Sequence, residues 1–474
     1  MDVRERNRRI AMEVDYQVRL ARSRGLKVKD LARCVGRHRN FLCIMRQEQR
    51  LSEEVVLAIL DYLEIDLRFF YFVAVHPYST SPLWRFAREA NLHLVRLPGQ
   101  LQQAVSQAGL EPFMDARQSN IVNDYRELHE IDNLAGREWS PAVPEDVLRQ
   151  LDALDAKRFT TPQQVAAQAT ELLPQLAADL AGCDRALAIS KTLATLGSAH
   201  QLLGNVELAH KIFSLAIRLG LRYSFRELLA RLALRAKTVF LLSGRTRLAQ
   251  DLVCEGQDLF RQAGLKIWEG KALIDEGICY FLSRSFAKAS AAYEKALASL
   301  PEDEMPHRLA ALQGLAMVRL FQGKYKSALA HAEQARTMAA SGDALTHSMI
   351  LWLYANIARE MSLAEEASEA YRESYRLLKS IPAPFKEVGL LLDWLLLCVK
   401  NELHSDASRV ADALAPYSQQ MKQWKALRAR IEDVVCAMRL DRLSTTVLRT
   451  ARAAHEKVSR SQRWWPAPTL LQIG

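Results

Sequence analysis

Apolar residues recur at helical spacing along almost the whole chain, and the stretches they define are cut by glycine and small polar residues. Over residues 15–71 the pattern breaks into five short helices. Val18-Arg19-Leu20 ends at Gly25, Val28 to Val35 ends at Gly36, and Arg37 to Gln47, Glu53 to Leu63 and Leu67 to Tyr71 follow. Leu20, Leu26, Leu31, Ala32, Val35, Phe41, Leu42, Met45, Val55, Leu57, Ile59, Leu60, Leu63 and Ile65 supply a one-layer core for a bundle of about 70 residues. Further along, a small residue returns at a fixed interval: Ala209, Ala249, Ala289, Ala328, Ala367 and Ala407 are spaced 40, 40, 39, 39 and 40. Ala169 lies 40 before Ala209, so a weaker repeat begins near Thr161. The pattern predicts an all-α chain in four parts. These are a small helical bundle at 1–76, a linker with connecting helices at 77–160, an α-solenoid of paired helices at 161–416, and long capping helices with a tail at 417–474. Pro77, Ser79, Thr80, Ser81 and Pro82 read as the linker.

Composition supports that reading. Of 474 residues, 49% are hydrophobic, and Gly (19) with Pro (15) are too few for a β-sandwich, a collagen or a disordered chain. The most apolar run, Val388 to Val399, is too short to span a bilayer and carries Asp393, so it reads as a buried helix. No apolar run follows the N-terminal arginines, and the seven scattered cysteines form no CxxC pair, so they read as reduced core thiols. A cytoplasmic protein without membrane attachment is expected. The charge is uneven: residues 1–50 hold 14 Arg+Lys against 6 Asp+Glu, most of the chain's +10, and Lys422 to Arg463 holds 11 against 4. A basic N-terminal domain suits an anionic partner.

Gly25-Leu26-Lys27-Val28-Lys29-Asp30-Leu31-Ala32-Arg33-Cys34-Val35-Gly36-Arg37-His38-Arg39-Asn40-Phe41-Leu42 resembles the helix-turn-helix domain of the phage-repressor (Cro/CI) family. The Leu31-Ala32 pair, Gly36 four residues after that alanine, and the Phe41-Leu42 pair match the family's pattern. The resemblance implies binding to double-stranded DNA, with Arg37, His38, Arg39 and Asn40 at the start of the recognition helix. Arginine pairs bidentately with guanine and asparagine with adenine. The chain departs from the family in having Lys27, Val28 and His38 where capping Ser or Thr and a Gln usually stand. Lys27 and Lys29 can replace their phosphate contacts by charge, and Arg46 falls near the end of the third helix as a phosphate contact.

The repeats resemble the tetratricopeptide repeat (TPR). One copy runs Gly277, Tyr280, Phe286, Ala289, Tyr293, Ala296, Pro301; another runs Leu196-Gly197, His200, Gly204, Val206, Ala209, Phe213, Ala216. The interval is longer than that of the standard repeat, which implies longer helices or turns. The resemblance implies a scaffold whose first helices line an inner surface. It places Lys191, Gln201, Arg231, Thr238, Lys271, Gln313, Trp352, Asn356 and Arg359 there as candidates for holding a peptide or protein effector.

No catalytic constellation accompanies these motifs. Gly264-Leu-Lys-Ile-Trp-Glu-Gly270-Lys271-Ala272 has one residue too many between its glycines for a phosphate-binding loop and Ala where Ser or Thr must hold magnesium. HExxH, GxSxG and GxGxxG are absent, so neither an enzyme nor a cofactor is expected. The whole arrangement resembles the bacterial peptide-sensing transcription regulators of the pheromone-receptor class, which implies a homodimer bound to operator DNA and switched by a peptide or protein. The alternative is a TPR adaptor that recruits a protein, with the basic bundle as a docking or nonspecific nucleic-acid module.

Overall fold

The amphipathic stripe that opens the chain runs further back than residue 15. In the computed structural model, α1 spans Val3–Ser23: Asp2 Oδ1 accepts from the Arg4 amide at 3.1 Å, and Glu5 pairs with Arg8 and Arg9. Ile10, Ala11, Val14 and Val18 form its buried stripe. The structure describes residues 1–23, 25–38, 40–48, 51–90, 97–110, 121–134, 141–339, 344–379, 384–401 and 403–414, and no strand occurs among them. The capping helices expected at 417–474, with Cys436, lie outside the described residues.

Four helices complete the N-terminal bundle: α2 (Val28–Cys34), α3 (Phe41–Glu48), α4 (Glu53–Tyr62) and α5 (Leu67–Val75). Gly36 takes the left-handed conformation (φ 62) that ends α2, and the Arg37 amide reaches back to the Ala32 carbonyl at 2.9 Å. One boundary differs from the sequence reading. The third helix starts at Phe41, so Arg37, His38 and Asn40 belong to the turn before it and not to its first turn. His38 explains this: its ring Nδ1 accepts from the Asn40 amide at 3.3 Å, and the Asn40 carbonyl receives the Ile44 amide at 3.2 Å. The imidazole fixes the turn locally, as a capping hydroxyl would.

The Pro77–Pro82 cluster is not a free linker. A 3₁₀ turn (Pro77–Thr80) leads into α6 (Pro82–Glu89), in which Leu83, Trp84, Phe86, Ala87, Arg88 and Glu89 are all buried. Glu255 caps its start, accepting from Ser81 Oγ at 2.6 Å and the Leu83 amide at 2.7 Å. His210 and Ser214 meet the carbonyls of Phe86 and Ala87 at its end, at 3.0 and 2.7 Å. A short helix so buried needs both ends satisfied by side chains, because water cannot reach them. α7 (Gly99–Gln107), α8 (Ile121–Leu134) and α9 (Glu145–Ala156) follow.

From there the helices follow in order: α10 (Pro162–Asp179), α11 (Gly182–Leu202), α12 (Val206–Arg222), α13 (Arg226–Leu242), α14 (Thr246–Gln262), α15 (Lys266–Leu282), α16 (Phe286–Ser299), α17 (Met305–Phe321), α18 (Tyr325–Ala339), α19 (Ala344–Glu360), α20 (Ala364–Leu378), α21 (Pro384–Lys400) and α22 (His404–Leu414). The interval between the alanines has a plain origin. α12 to α15 each run for 17 residues, and a short turn joins each to the next, so one helix with its turn makes half the interval. The middle residue of each turn is left-handed, at Gly204, Ser224, Gly244, Gly264 and Arg284. At Arg284 (φ 59) an exposed side chain sits where glycine is unstrained. Arg284→Gly is therefore expected to stabilise the fold by about 1 kcal/mol, read as a rise in the thermal unfolding midpoint, and a fall would contradict this account.

The periodic alanines occupy the first turn of every second helix, with Ala209, Ala249, Ala289, Ala328 and Ala367 at 0% exposure and Ala407 at 2%. Aromatic side chains fill the space beside glycines on the first helices. Phe213 lies on Gly197, and Tyr293 lies on both Gly277 and Gly314, where a Cβ would come within 2.9 Å or less of the ring. The run at Val388 is the buried helix expected, α21, and no described helix is long and apolar enough to cross a membrane. The cysteines depart from expectation: among the described ones Cys279 and Cys398 are buried, Cys183 is half-buried, and Cys34, Cys43 and Cys254 are exposed.

The described helices form two compact units, one within Met1–Ser243 with Asp251–Ala263, and one of Gly244–Gln250 with the described residues from Gly264 onward. The N-terminal bundle is thus built into the same unit as α6 to α13. A buried ionic seam holds it there. Arg88 of α6 donates to both oxygens of Glu13 on α1 at 2.8 Å and to Asp124 on α8 at 2.7 Å, and its guanidinium lies 3.9 Å from the centroid of the Tyr16 ring. Arg218 of α12 pairs with Glu127 of α8. The guanidinium of Arg88 would be lowered by burial, but Asp124 and Glu13 hold it well above its ordinary value.

Candidate functional site

Two surfaces of the first unit carry the residues singled out by sequence. The first is the face of α2, the following turn and α3. Lys27, Lys29, Arg33, Arg37, His38 and Asn40 are all exposed, and none of the four Lys and Arg side chains is paired with a carboxylate among the described residues. Lys27 precedes α2 and makes no side-chain cap to it. Beneath them Leu31, Ala32, Phe41, Leu42 and Met45 anchor both helices in the bundle. Arg46 stands apart: its guanidinium donates to Asp15 of α1 at 2.7 Å, which ties α3 to α1 and offsets its charge. Arg39 lies outside the described residues. The short α3 also exposes Ile44 at 50%.

The second surface is the side of the first helices, α11 and α13. Lys191 and Arg231 occupy equivalent positions one repeat interval apart, and so do Thr195 and Arg235. Lys191 lies 3.6 Å from Asp152, and Arg231 pairs with Glu227 on its own helix. Arg235, which the sequence reading missed, makes the strongest contact. Both of its terminal nitrogens donate to Asp155 of α9, at 2.9 and 2.8 Å, and Thr195 Oγ1 donates to the same carboxylate at 2.7 Å. Burial acts to raise the Asp155 carboxyl, but Arg235, Arg158 and Thr195 outweigh it and bring it down to about 2. The repeat interval would have pointed to Arg235 as the successor of Thr195; nothing local marks Asp155. Gln201 is half-buried in the last turn of α11, and Thr238 is buried in α13.

The remaining candidates lie in the second unit. The Lys271 ammonium is buried 4.4 Å from the Trp268 ring centroid, and Gln313 is buried in α17. Trp352, Asn356 and Arg359 of α19 are brought together, but their polar groups face neighbouring helices. Trp352 Nε1 donates to Asp393 at 2.8 Å, Tyr371 donates to Asn356 Oδ1 at 2.7 Å, and Arg359 donates to Tyr371 at 3.2 Å. All three are at most 8% exposed. With Tyr371 and Asp393 they form an internal clamp of α19, α20 and α21. Asp393 is the acid that interrupts the apolar run, and the indole and guanidinium explain why it can be buried.

Among the described residues no cluster of His, Cys, Asp or Glu is arranged to hold a metal ion.

No family model matches the chain, and no curated protein matches it. Solved structures to which the chain shows similarity include two Rap proteins. A Rap protein complexed with competence and sporulation factor is 14% identical, with a TM-score of 0.45 over 69% of this chain and 91% of that one. The Rap conjugation gene regulator of the plasmid pLS20, in complex with the Phr* peptide, is 12% identical, with a TM-score of 0.45 over 81% of this chain and 98% of that one.

Proposed function

We propose that the chain is a sequence-specific DNA-binding transcription regulator, without enzymatic activity, whose repeats dimerise and receive a peptide or protein effector. The observation that carries this reading is the α2–turn–α3 face: four exposed Lys and Arg side chains without carboxylate partners among the described residues, with Asn40 beside them, on helices held by an apolar underside. Charge of this density attracts phosphate, and arginine with asparagine supplies donors and acceptors for base edges. The buried seam through Arg88 makes the bundle one body with the first repeats, so a ligand that moves α12 or α13 moves the basic face with it. In a homodimer, two such faces must meet major grooves about 34 Å apart to bind an inverted repeat.

Selection of random duplex DNA against the full-length protein at about 150 mM salt, where nonspecific attraction is weakened, tests this directly. An enriched inverted repeat, bound roughly a thousandfold more tightly than random DNA, is the expected outcome. Replacing Arg37, Arg39 and Asn40 with alanine is expected to remove that preference while leaving the helical content intact; undiminished selectivity would refute this reading head.

One observation favours a second reading, a TPR adaptor whose N-terminal bundle docks a protein. Ile44, half exposed in the middle of α3, suits an apolar partner better than a phosphate backbone. Binding to DNA without sequence preference, with a salt dependence equal for every duplex, would select the adaptor.

A further inference from the structure

The face of α11 and α13 that carries Lys191 and Arg235 already holds a segment of its own chain. α9 reaches both of these first helices through two carboxylates, beside its buried Leu151 and Leu154. Asp155 bridges Arg235 and Thr195, one from each helix, and Asp152, three residues earlier, faces Lys191. An (i, i+3) spacing puts the two carboxylates on one face of α9, one turn apart. The cationic positions are set by the repeat register: Lys191 and Arg231, like Thr195 and Arg235, recur at the repeat interval, so the scaffold generates the row and α9 fits it.

The rest of α9 is weakly held. Of its 12 residues only Leu151 and Leu154 are buried. On the side facing α10 it borders a solvent-open groove of about 360 Å³, lined by the exposed Gln150 and Ala153 of α9 and by Gln168, Glu171 and Gln175 of α10. An element with only two buried apolar side chains opens at lower cost than the longer, more deeply buried repeat helices around it. Its main polar attachment is the Asp155 carboxylate, shared by Arg235, Thr195 and the neighbouring Arg158, with Asp152 largely exposed beside Lys191, and such an ion pair can be exchanged for an equivalent one.

We propose that α9 is an intramolecular ligand of this cationic face of α11 and α13, and that the face takes acidic peptides presenting two carboxylates one helical turn apart, in competition with α9. The proposal deepens the reading of the repeats as effector-binding by assigning the ligand's chemistry and an occupant that it must displace. A tethered competitor raises the concentration of external ligand needed, so the site stays closed to weak acidic peptides and opens to those that outcompete α9.

The probe is a fluorescein-labelled peptide of residues 143–160, titrated into the full-length protein and read by anisotropy. Wild-type protein is expected to bind it weakly. The D152N/D155N protein, whose own α9 no longer competes, is expected to bind it at least about tenfold more tightly. Adding Arg235→Ala to that variant is expected to remove the gain, and a peptide carrying the same two Asp→Asn changes is expected not to bind. Equal affinity of wild-type and D152N/D155N protein, or binding indifferent to the aspartates of the peptide, would overturn the proposal. Should D152N/D155N lose its helical signal, wild-type protein supplies the second measurement. Excess unlabelled peptide is expected to accelerate amide hydrogen exchange across residues 145–156 but not across α11, and unchanged exchange there overturns the proposal as well. Neither assay contains DNA, so absence of an operator and absence of an acidic-peptide site are separable results.

Discussion

Arg88→Ala is expected to cost the first unit about 3–5 kcal/mol and to loosen the N-terminal bundle from the repeats. The guanidinium is 4% exposed and is the shared partner of Glu13 and Asp124, themselves 3% exposed, so truncation leaves two carboxylates buried without their cation. The penalty comes from that desolvated negative charge and not from the lost bonds alone. One further contact goes with it, the Tyr16 ring under the guanidinium, whereas the Tyr16 hydroxyl, which donates to the backbone carbonyl of residue 88 at 3.0 Å, keeps its partner. Replacing all three ionic groups at once, as in R88M/E13L/D124L, is expected to recover most of the loss, because apolar side chains of similar volume need no compensation. Urea and thermal unfolding of the three proteins decide the matter. A loss below about 1 kcal/mol for Arg88→Ala would mean that the seam is hydrated and does not fasten the bundle.

The second large effect belongs to Tyr293 in the other unit. Its ring is fully buried between Gly277 and Gly314, and Tyr293→Ala is expected to cost about 3–5 kcal/mol through the cavity it leaves between two first helices. Gly314→Ala approaches the same contact from the other side: a Cβ there would stand 2.5 Å from the ring, and the overpacking is expected to cost about 1–3 kcal/mol. Tyr293→Phe gives the opposite sign. The phenol oxygen is buried without a hydrogen-bond partner among the described residues, so removing it is expected to be neutral or to stabilise by about 1 kcal/mol. Thermal midpoints in the order Phe, wild type, Gly314→Ala, Tyr293→Ala would establish the ring as a spacer whose hydroxyl contributes nothing. A Phe variant as damaged as the Ala variant would show instead that the hydroxyl is bonded.

Much of the architecture was legible because it repeats. Ala209 and its successors mark helix crossings, and sterics permit only a small residue there, so the constraint is written at one position in every repeat. The same holds for Gly197, Gly277 and the aromatic residues that cover them. Gly36 announced the turn between α2 and α3 for a similarly local reason, since few other residues tolerate φ 62. The residues that the sequence pointed to for DNA are exposed wherever they are described, although His38 moved them from the helix into its entry turn through a single ring-to-amide bond.

What the sequence by itself determined is therefore what depends on neighbours along the chain: helix spans, the repeat interval, the positions of small and aromatic residues, and the concentration of positive charge in residues 1–50. Only the tertiary structure decided which polar side chains are free to meet a ligand. Trp352, Asn356 and Arg359 have the residue types of a binding surface but are buried against neighbouring helices, where they meet Tyr371 and Asp393, while Arg235 and Asp155 meet from separate helices with no local mark. The Pro77–Pro82 cluster looked like a linker and leads directly into α6, a helix enclosed along almost its whole length. The reason is common to all of these: a buried charge or helix end is tolerated only where partners from distant segments converge on it, and that convergence is a property of packing that no single stretch of sequence contains.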